Sequence, residues 1–163
     1  MNKQDVVAVV LGGPSSEAEV SRRTGGAIAE ALREKGYNAV EVELVPEKLV
    51  EQLREIDAKV VFNAVHGMYG EDGRLQSILE AIKMPYTGSG VLASAVAMDK
   101  VATKRFLISA NISTPKCLMY NKRFDNDMAK IEKEIIATFG VPVVIKAADQ
   151  GSSIGVEIVK AEA

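Results

Sequence analysis

The sequence predicts an α/β fold built on a doubly wound parallel sheet, followed by an incomplete α+β segment. Over roughly the first 112 residues, short β-branched runs alternate with segments whose apolar residues fall at helical spacing. Such alternation requires right-handed crossovers, which give parallel strands with helices on both faces of the sheet. Beyond residue 112 the order changes to strand, helix, strand, strand.

The first strand and helix have clear boundaries. The run from Val6 to Leu11 is apolar throughout, which is typical of a strand buried on both faces. Gly12-Gly13-Pro14 ends this strand. Ser16 and Glu19 have the spacing of a capping box, so a helix is predicted to begin there. Gly36 is predicted to end that helix.

The later elements of the first region continue the alternation. They are strand 39–45, a short helix opened by Pro46, strand 59–63, a helix over 75–82, an edge or turn at 85–90, and helices 91–98 and 99–110. The second region holds strand 116–120, helix 128–139, strand 142–147, a glycine-rich turn at 149–155 and strand 154–159. The sequence therefore predicts one domain over 1–112 and an unfinished one over 113–163.

Composition excludes several classes of protein. The chain of 163 residues is 47% hydrophobic and carries a net charge of −2, with no basic stripe and no Trp, so nucleic-acid binding has little support. The apolar run near the start is too short for a membrane span or a signal peptide. A single cysteine, Cys117, permits no internal disulfide. We therefore expect a cytoplasmic protein that does not bind nucleic acid or enter a membrane.

Three glycine-rich segments each follow a predicted strand, at 12–13, 67–73 and 151–155. Ligands of doubly wound sheets bind at the carboxyl ends of the strands, so these loops are candidates for a shared site. Glycine there allows positive φ and lets backbone amides approach an anion. None of the segments has the spacing of a dinucleotide fingerprint or a Walker A loop, and each is weak evidence alone.

These segments and their neighbours form an ordered set of motifs: Leu11–Ser21 (LGGPSSEAEVS), His66–Gly73 (HGMYGEDG), Thr87–Gly90 (TGSG), Met98–Lys100 (MDK), Val144–Lys146 (VIK) and Gly151–Val156 (GSSIGV). Taken together, they resemble the motifs of one family, the D-alanine–D-alanine ligases. The resemblance covers the whole chain. It implies a Rossmann-like pre-ATP-grasp domain followed by the first part of an ATP-grasp domain.

The resemblance also implies an activity and its catalytic residues. The family joins two D-alanines for peptidoglycan synthesis, through an acyl phosphate made with ATP. By similarity, Glu17 would hold the ammonium of the first D-alanine, and His66 would lie beside the substrate carboxylate. Ser152 would help to orient Glu17 and the incoming substrate.

A nucleotide site is implied in the same way. Lys100 and Lys146 would contact the phosphates of ATP, and the backbone around Gly151, Ser152 and Ser153 would cover them. Mobile ammonium groups and loop amides both offset the negative charge of a phosphate chain. Mg²⁺ is the expected metal, with its ligands beyond Ala163, so no metal ligand is assigned in this chain.

Each of these residues also has an ordinary structural interpretation. Glu17 is compatible with a first-turn helix acid, and His66, the only histidine, with a hydrogen-bonded turn residue. Lys100 is compatible with an exposed helix residue, and Ser152 with a hairpin turn. Lys146 lies in an apolar strand, where an unpaired ammonium would be costly unless it reached water. The ordered set of motifs favours the functional interpretation.

Several alternatives stay open. Ala147 stands where the family commonly has proline, so φ at the entry to the phosphate loop is not fixed as proline would fix it. We expect the chain to be part of a longer ligase, inactive in isolation and homodimeric. A D-alanyl-D-lactate ligase and a non-catalytic binding or dimerisation module are the alternatives.

Overall fold

The computed structural model describes residues 2–161, which fall into two units that divide between Met98 and Asp99. The first unit contains β1 (Val6–Leu11), α1 (Ala18–Glu34), β2 (Asn38–Glu43), α2 (Leu49–Glu55), β3 (Ala58–Asn63), α3 (Arg74–Ala81) and α4 (Val91–Met98). The second contains α5 (Lys100–Ser109), α6 (Met128–Phe139), β4 (Val143–Lys146) and β5 (Val156–Val159).

The sheet of the first unit is parallel, with the order β2-β1-β3. The segment around Tyr86 adds a short extended edge beside β3, because Val61 donates to the Pro85 carbonyl and accepts from the Thr87 amide. The predicted parallel α/β sheet is therefore confirmed, and the edge expected at 85–90 joins it.

Strand β1 is central because both of its faces are covered. Ala8 and Val10 lie in a cluster with leucines of α2 and α3, whereas Val9 lies in a second cluster with Ala29 of α1. A strand with helices on both sides must be apolar at every position, which explains the unbroken run in the sequence. The leucines of the first cluster that are at most 1% exposed are Leu49, Leu53, Leu75 and Leu79.

Helix α1 begins later than the capping box predicts, and that prediction is wrong. The helix starts at Ala18, its N-cap residue is Glu17, and no side chain caps it. The Ser15 hydroxyl accepts from the Glu17 amide at 3.1 Å, and Ala18 donates to the Ser15 carbonyl, whereas Ser16 is exposed. A turn over 15–18 thus delays the helix and leaves the Glu17 side chain at its very start.

The other end of α1 follows the prediction. Gly36 has a φ of +80° and donates to the Arg33 carbonyl, while Tyr37 donates to the Leu32 carbonyl. This pair of bonds is the Schellman motif that glycine favours. Nearer its start, α1 approaches β1 so closely that a Cβ on Gly25 would lie 2.6 Å from that of Leu11. The helix is therefore held tightly against the end of the central strand.

The second unit has an antiparallel hairpin, in which Val143 pairs with Val159 and Lys146 with Val156. The strand predicted at 116–120 is wrong, because those residues adopt no regular structure. Extended backbone becomes a strand only when a neighbouring strand satisfies its amides and carbonyls, and in the described part of the chain the hairpin pairs only with itself. The segment is instead held at its start by Lys104, whose ammonium donates to the Pro115 carbonyl at 2.5 Å.

The units divide after Met98, whereas the sequence predicts a domain boundary after residue 112. The difference is α5, which is bonded to the second unit. Lys100 donates its amide to the Ala148 carbonyl at 2.9 Å, and Lys104 reaches Thr114 and Pro115. The compositional change at 113–115 thus marks the end of α5. Within residues 2–161, no helix has the length and apolar character that a membrane crossing requires.

Candidate functional site

Two loops of the first unit meet at the carboxyl edge of its sheet, residues 12–17 after β1 and residues 64–73 after β3. A single hydroxyl joins them. Ser21 of α1 is fully buried, accepts from the Gly12 amide at 2.8 Å and donates to the Ala64 carbonyl at 2.7 Å. Both loops are therefore fixed to the first turn of α1.

Glu17 lies where these loops meet. The residue is only 8% exposed, and its carboxylate makes no hydrogen bond or ion pair with any other residue of 2–161. The loop after β3 passes directly beside it, since a Cβ on Gly67 would lie 3.5 Å from the carboxyl carbon of Glu17. With no donor among residues 2–161, the carboxylate of this largely buried residue is suited to bind a cation.

His66 lies at the same edge of the sheet. Its ring is half-buried, and Nε2 lies 3.2 Å from the Thr24 hydroxyl of α1. Gly67, the next residue, has a φ of +68°, and this turn carries the backbone from His66 toward Glu17. The structure thus brings the loops of Glu17 and His66 together within one unit.

The loop that follows His66 is built to one shape. A Cβ on Gly70 would lie 2.0 Å from the Val65 carbonyl oxygen, so only glycine fits there. The Gly70 carbonyl accepts from the side-chain amides of Asn63 and Gln76, at 2.8 and 2.7 Å. Asp72 accepts from the backbone at Tyr69 and at Arg74, each at 3.0 Å. The HGMYGEDG motif therefore encodes a loop whose shape is fixed by a close contact at Gly70 and by hydrogen bonds to Gly70 and Asp72.

Sequence reasoning missed two residues of this site, Ser21 and Thr24. Both are on α1 and face the loop after β3 together with Glu17. Their spacing from Glu17 is four and seven residues, which places all three on one helix face. The stripe lies on the same face of α1 as the buried Gly25 and Ala29, so polar residues at the start of a face that otherwise packs on the sheet were the available signal.

An ion pair holds the turn before Glu17. Arg22 of α1 donates twice to the Glu43 carboxylate at the end of β2, at 2.7 and 3.1 Å, and Glu43 also accepts from the Gly13 amide. Hydrogen bonding by Arg22 lowers the pKa of Glu43 below its usual range, the Gly13 amide adds to this, and partial burial opposes it. Glu43 in turn raises the pKa of Arg22. Both side chains are nearly half exposed, so the pair orients the turn more than it stabilises the fold.

In the second unit, the loop between β4 and β5 has an unusual backbone. Ser152 and Ser153 adopt positive φ angles of 46° and 63°, and Gly155 follows at 66°. Non-glycine residues rarely hold this conformation, which is concentrated at ligand-binding loops. The Lys100 ammonium donates to the Gln150 carbonyl at 2.5 Å and so fixes the near side of the loop.

The same loop presents hydrogen-bond donors. Within residues 2–161, the amides of Gly151, Ser152 and Ser153 donate to no other residue. Lys146, at the end of β4, is exposed, so the expected cost of an ammonium in a buried apolar strand does not arise. Open amides with two nearby lysines fit a phosphate chain chemically.

Ala147 explains how this loop closes without the family's usual proline. Its amide donates to the Gly155 carbonyl at 2.9 Å, one residue beyond the hairpin pairing. Proline has no amide hydrogen and could not form this bond. The departure noted in the sequence is therefore used by the fold.

Metal ligands are not grouped in the described residues. Within 2–161, no cluster of three or more His, Cys, Asp or Glu side chains is placed to hold a metal ion. Cys117 is a free thiol and half-buried.

Comparison with known families gives two matches, one after the other along the chain. Residues 43–89 match the family model described as the D-ala D-ala ligase N-terminus, and residues 106–163 match the D-ala D-ala ligase C-terminus. Together the two models cover more than half of the chain.

Curated relatives and solved structures agree with these models. The chain is 47% identical over 157 residues to the D-alanine–D-alanine ligase of Moorella thermoacetica and 45% identical over 153 residues to that of Carboxydothermus hydrogenoformans. These alignments cover 96% and 94% of this chain but 50% and 49% of the relatives. The chain therefore spans about half the length of the curated relatives it matches.

Two crystal structures of D-alanine–D-alanine ligase from Bacillus anthracis are similar in fold. One gives a TM-score of 0.82 at 35% identity, over 97% of this chain and 50% of that one. The other is the complex with ATP, with a TM-score of 0.80 at 33% identity, over 97% of this chain and 51% of that one.

Proposed function

Since the chain belongs to the D-alanine–D-alanine ligase family, we propose that it supplies substrate-binding and nucleotide-binding residues for the ATP-dependent joining of two D-alanines. In this reaction the carboxylate of the first D-alanine takes the terminal phosphoryl group of ATP. The amine of the second D-alanine then attacks the acyl phosphate and releases phosphate. The product is the dipeptide used in peptidoglycan synthesis.

The Glu17 carboxylate is the observation that carries this proposal. It belongs to a residue that is only 8% exposed, and it has no partner in residues 2–161, at the carboxyl edge of a parallel sheet. An amino-acid ammonium supplies the positive charge and the donors that such a carboxylate needs. Glu17 therefore binds the ammonium of the first D-alanine and holds its carboxylate toward the reacting end of the site.

His66 is proposed to act on the other end of the same substrate. Its loop passes beside Glu17, so an amino acid bound there presents its carboxylate within the same group of loops. An imidazole N–H donates to an anionic oxygen and stabilises the charge that develops there. Its role is to orient the carboxylate for phosphorylation.

The β4–β5 loop is proposed to bind the phosphates of ATP. The open amides of Gly151, Ser152 and Ser153 support this, together with the ammonium groups of Lys100 and Lys146. ATP supplies the activating phosphoryl group, and the loop amides and lysines offset its charge. Lys100 must exchange its bond to the Gln150 carbonyl for a phosphate oxygen. Mg²⁺ and the orienting role of Ser152 are further proposals from the family resemblance.

A homodimer and a cytoplasmic location are also proposed. They are supported by the family resemblance and by the single free thiol, which fits a reducing compartment.

Titration of the 163-residue chain with D-alanine, followed by NMR, tests the substrate site. We expect saturable binding that Glu17→Gln weakens at least tenfold, because the substitution removes the charge that pairs with the ammonium. Glu19→Gln is the matched control. It removes the same charge only two residues along the chain, but from a side chain that is exposed. Equal weakening by both variants, or no saturable binding of D-alanine, would overturn the proposal.

Titration with ATP tests the nucleotide loop separately. Lys100→Met is expected to weaken binding, whereas Lys130→Met, an exposed lysine of α6, is expected to leave it unchanged. If the two variants bind ATP alike, Lys100 does not contact the phosphates.

A further inference from the structure

The contact between Thr24 and His66 has a consequence for the chemistry of the imidazole. The Thr24 hydroxyl lies 3.2 Å from Nε2 of His66, and it makes no other hydrogen bond within residues 2–161. Nδ1 of His66 has no partner in that part of the chain either. One ring nitrogen is therefore tied to α1, and the other is available for a ligand.

In a neutral imidazole, one ring nitrogen carries the hydrogen and the other is an acceptor. The partner of one nitrogen thus decides what the other can do. If the Thr24 hydroxyl donates to Nε2, the hydrogen resides on Nδ1, which then acts as a donor. If Thr24 instead accepts from Nε2, Nδ1 is a bare acceptor and would repel an anionic oxygen.

We propose that Thr24 is a positioning residue that donates to Nε2 of His66 and so holds the ring in the tautomer protonated at Nδ1. The substrate role of that Nδ1–H rests on the proposed function, because a D-alanine carboxylate requires a donor there. The tautomer itself is a property of the chain without any ligand.

The surrounding contacts support a fixed ring. Ser21, one turn before Thr24, binds the Ala64 carbonyl two residues before His66. Gly67, the residue after His66, passes beside Glu17 on the same helix face. The backbone on both sides of the imidazole is therefore held to α1, and Thr24 holds the ring itself.

The experiment is direct because His66 is the only histidine in the chain. Labelling with ¹⁵N-histidine gives one imidazole, whose two nitrogen shifts report the tautomer ratio at about pH 9, where an ordinary imidazole is neutral. We expect the Nδ1–H form to predominate in the wild type. Thr24→Val, which keeps the shape and removes the hydroxyl, should change the ratio about fivefold toward Nε2–H, the effect of one ordinary hydrogen bond.

Two further variants make the result specific. Thr24→Ser should restore the wild-type ratio, and Thr138→Val, the same substitution in α6, should leave it unchanged. A wild-type ring that is mainly Nε2–H, or a ratio that does not respond to Thr24→Val, would overturn the inference. D-alanine binding through Glu17 is measured independently, so failure of the proposed function and failure of this inference are distinguishable.

Discussion

Replacing Ser21 by alanine is expected to destabilise the first unit far more than an ordinary serine substitution. The Ser21 hydroxyl is fully buried and satisfies two backbone groups at once, the Gly12 amide and the Ala64 carbonyl. Removing it leaves both groups buried without a partner. Each unsatisfied group costs about 1–3 kcal/mol, and alanine regains roughly 0.5 kcal/mol in helix propensity. With two groups unsatisfied, the expected net loss is about 1.5–5.5 kcal/mol in the free energy of unfolding.

The measurement is native-state hydrogen exchange of the β1 amides, which reports the opening of this unit without the second one. Ser77→Ala is the matched control. The Ser77 hydroxyl also donates to a backbone carbonyl, that of Gly73, but this carbonyl keeps the Ser77 amide as its partner. The control is therefore expected to change the free energy by about 0.5 kcal/mol or less.

An equal loss of stability in both serine variants would contradict the role given to the Ser21 hydroxyl. Unchanged exchange of the β1 amides in Ser21→Ala would contradict it as well. A loss confined to the loops, with β1 unaffected, would mean that the hydroxyl orders the site without stabilising the sheet.

Three further predictions follow from the loops of the two units. Gly70→Ala should reduce the free energy of unfolding by about 2 kcal/mol or more, and so lower the melting temperature, because the new Cβ would overlap a carbonyl oxygen. Gly26→Ala, where the space around the new Cβ is open, should instead stabilise the protein by up to about 1 kcal/mol. Above about pH 5, Glu43→Gln should lower the melting temperature only slightly, because the ion pair with Arg22 is nearly half exposed. Since the folded pKa of Glu43 lies below its usual range, the difference from wild type should shrink as pH falls below about 4 and disappear only once pH has passed the lowered folded pKa. Ala147→Pro should speed hydrogen exchange of the loop amides at 151–154, because it removes the bond to the Gly155 carbonyl. Ala148→Pro is the control, since it removes no bond within residues 2–161. Equal exchange rates in the two proline variants would contradict this prediction.

The central strand and the loop after β3 were predictable because their sequences admit one interpretation. Only a strand covered on both faces is apolar at every position from Val6 to Leu11. The spacing of Gly67, Gly70 and Gly73 reflects steric demands that no other residue meets without strain. In these places the local pattern and the tertiary contacts require the same residue.

Other features depend on contacts that the sequence does not display. Ser16 has the residue type of a helix cap, but the turn over 15–18 makes the helix start at Ala18, where no side chain caps it. The segment 116–120 has the composition of a strand but no neighbour to pair with in the described residues. The exposure of Lys146 depends on whether another part of the protein packs on the hairpin, which the sequence of the strand does not show. The roles assigned to individual site residues remain predictions.

The placement of Glu17, Ser21 and Thr24 on a single helix makes this part of the chain intolerant of changes in length. Each residue of an α-helix advances the axis by about 1.5 Å and turns it by about 100°, so one inserted or deleted residue between positions 17 and 24 would rotate part of the stripe away from its loop. Substitutions at the exposed positions between them, such as Glu19 and Arg23, leave the phase intact. Variants of this helix should therefore tolerate many changes of residue type but almost no change in residue number.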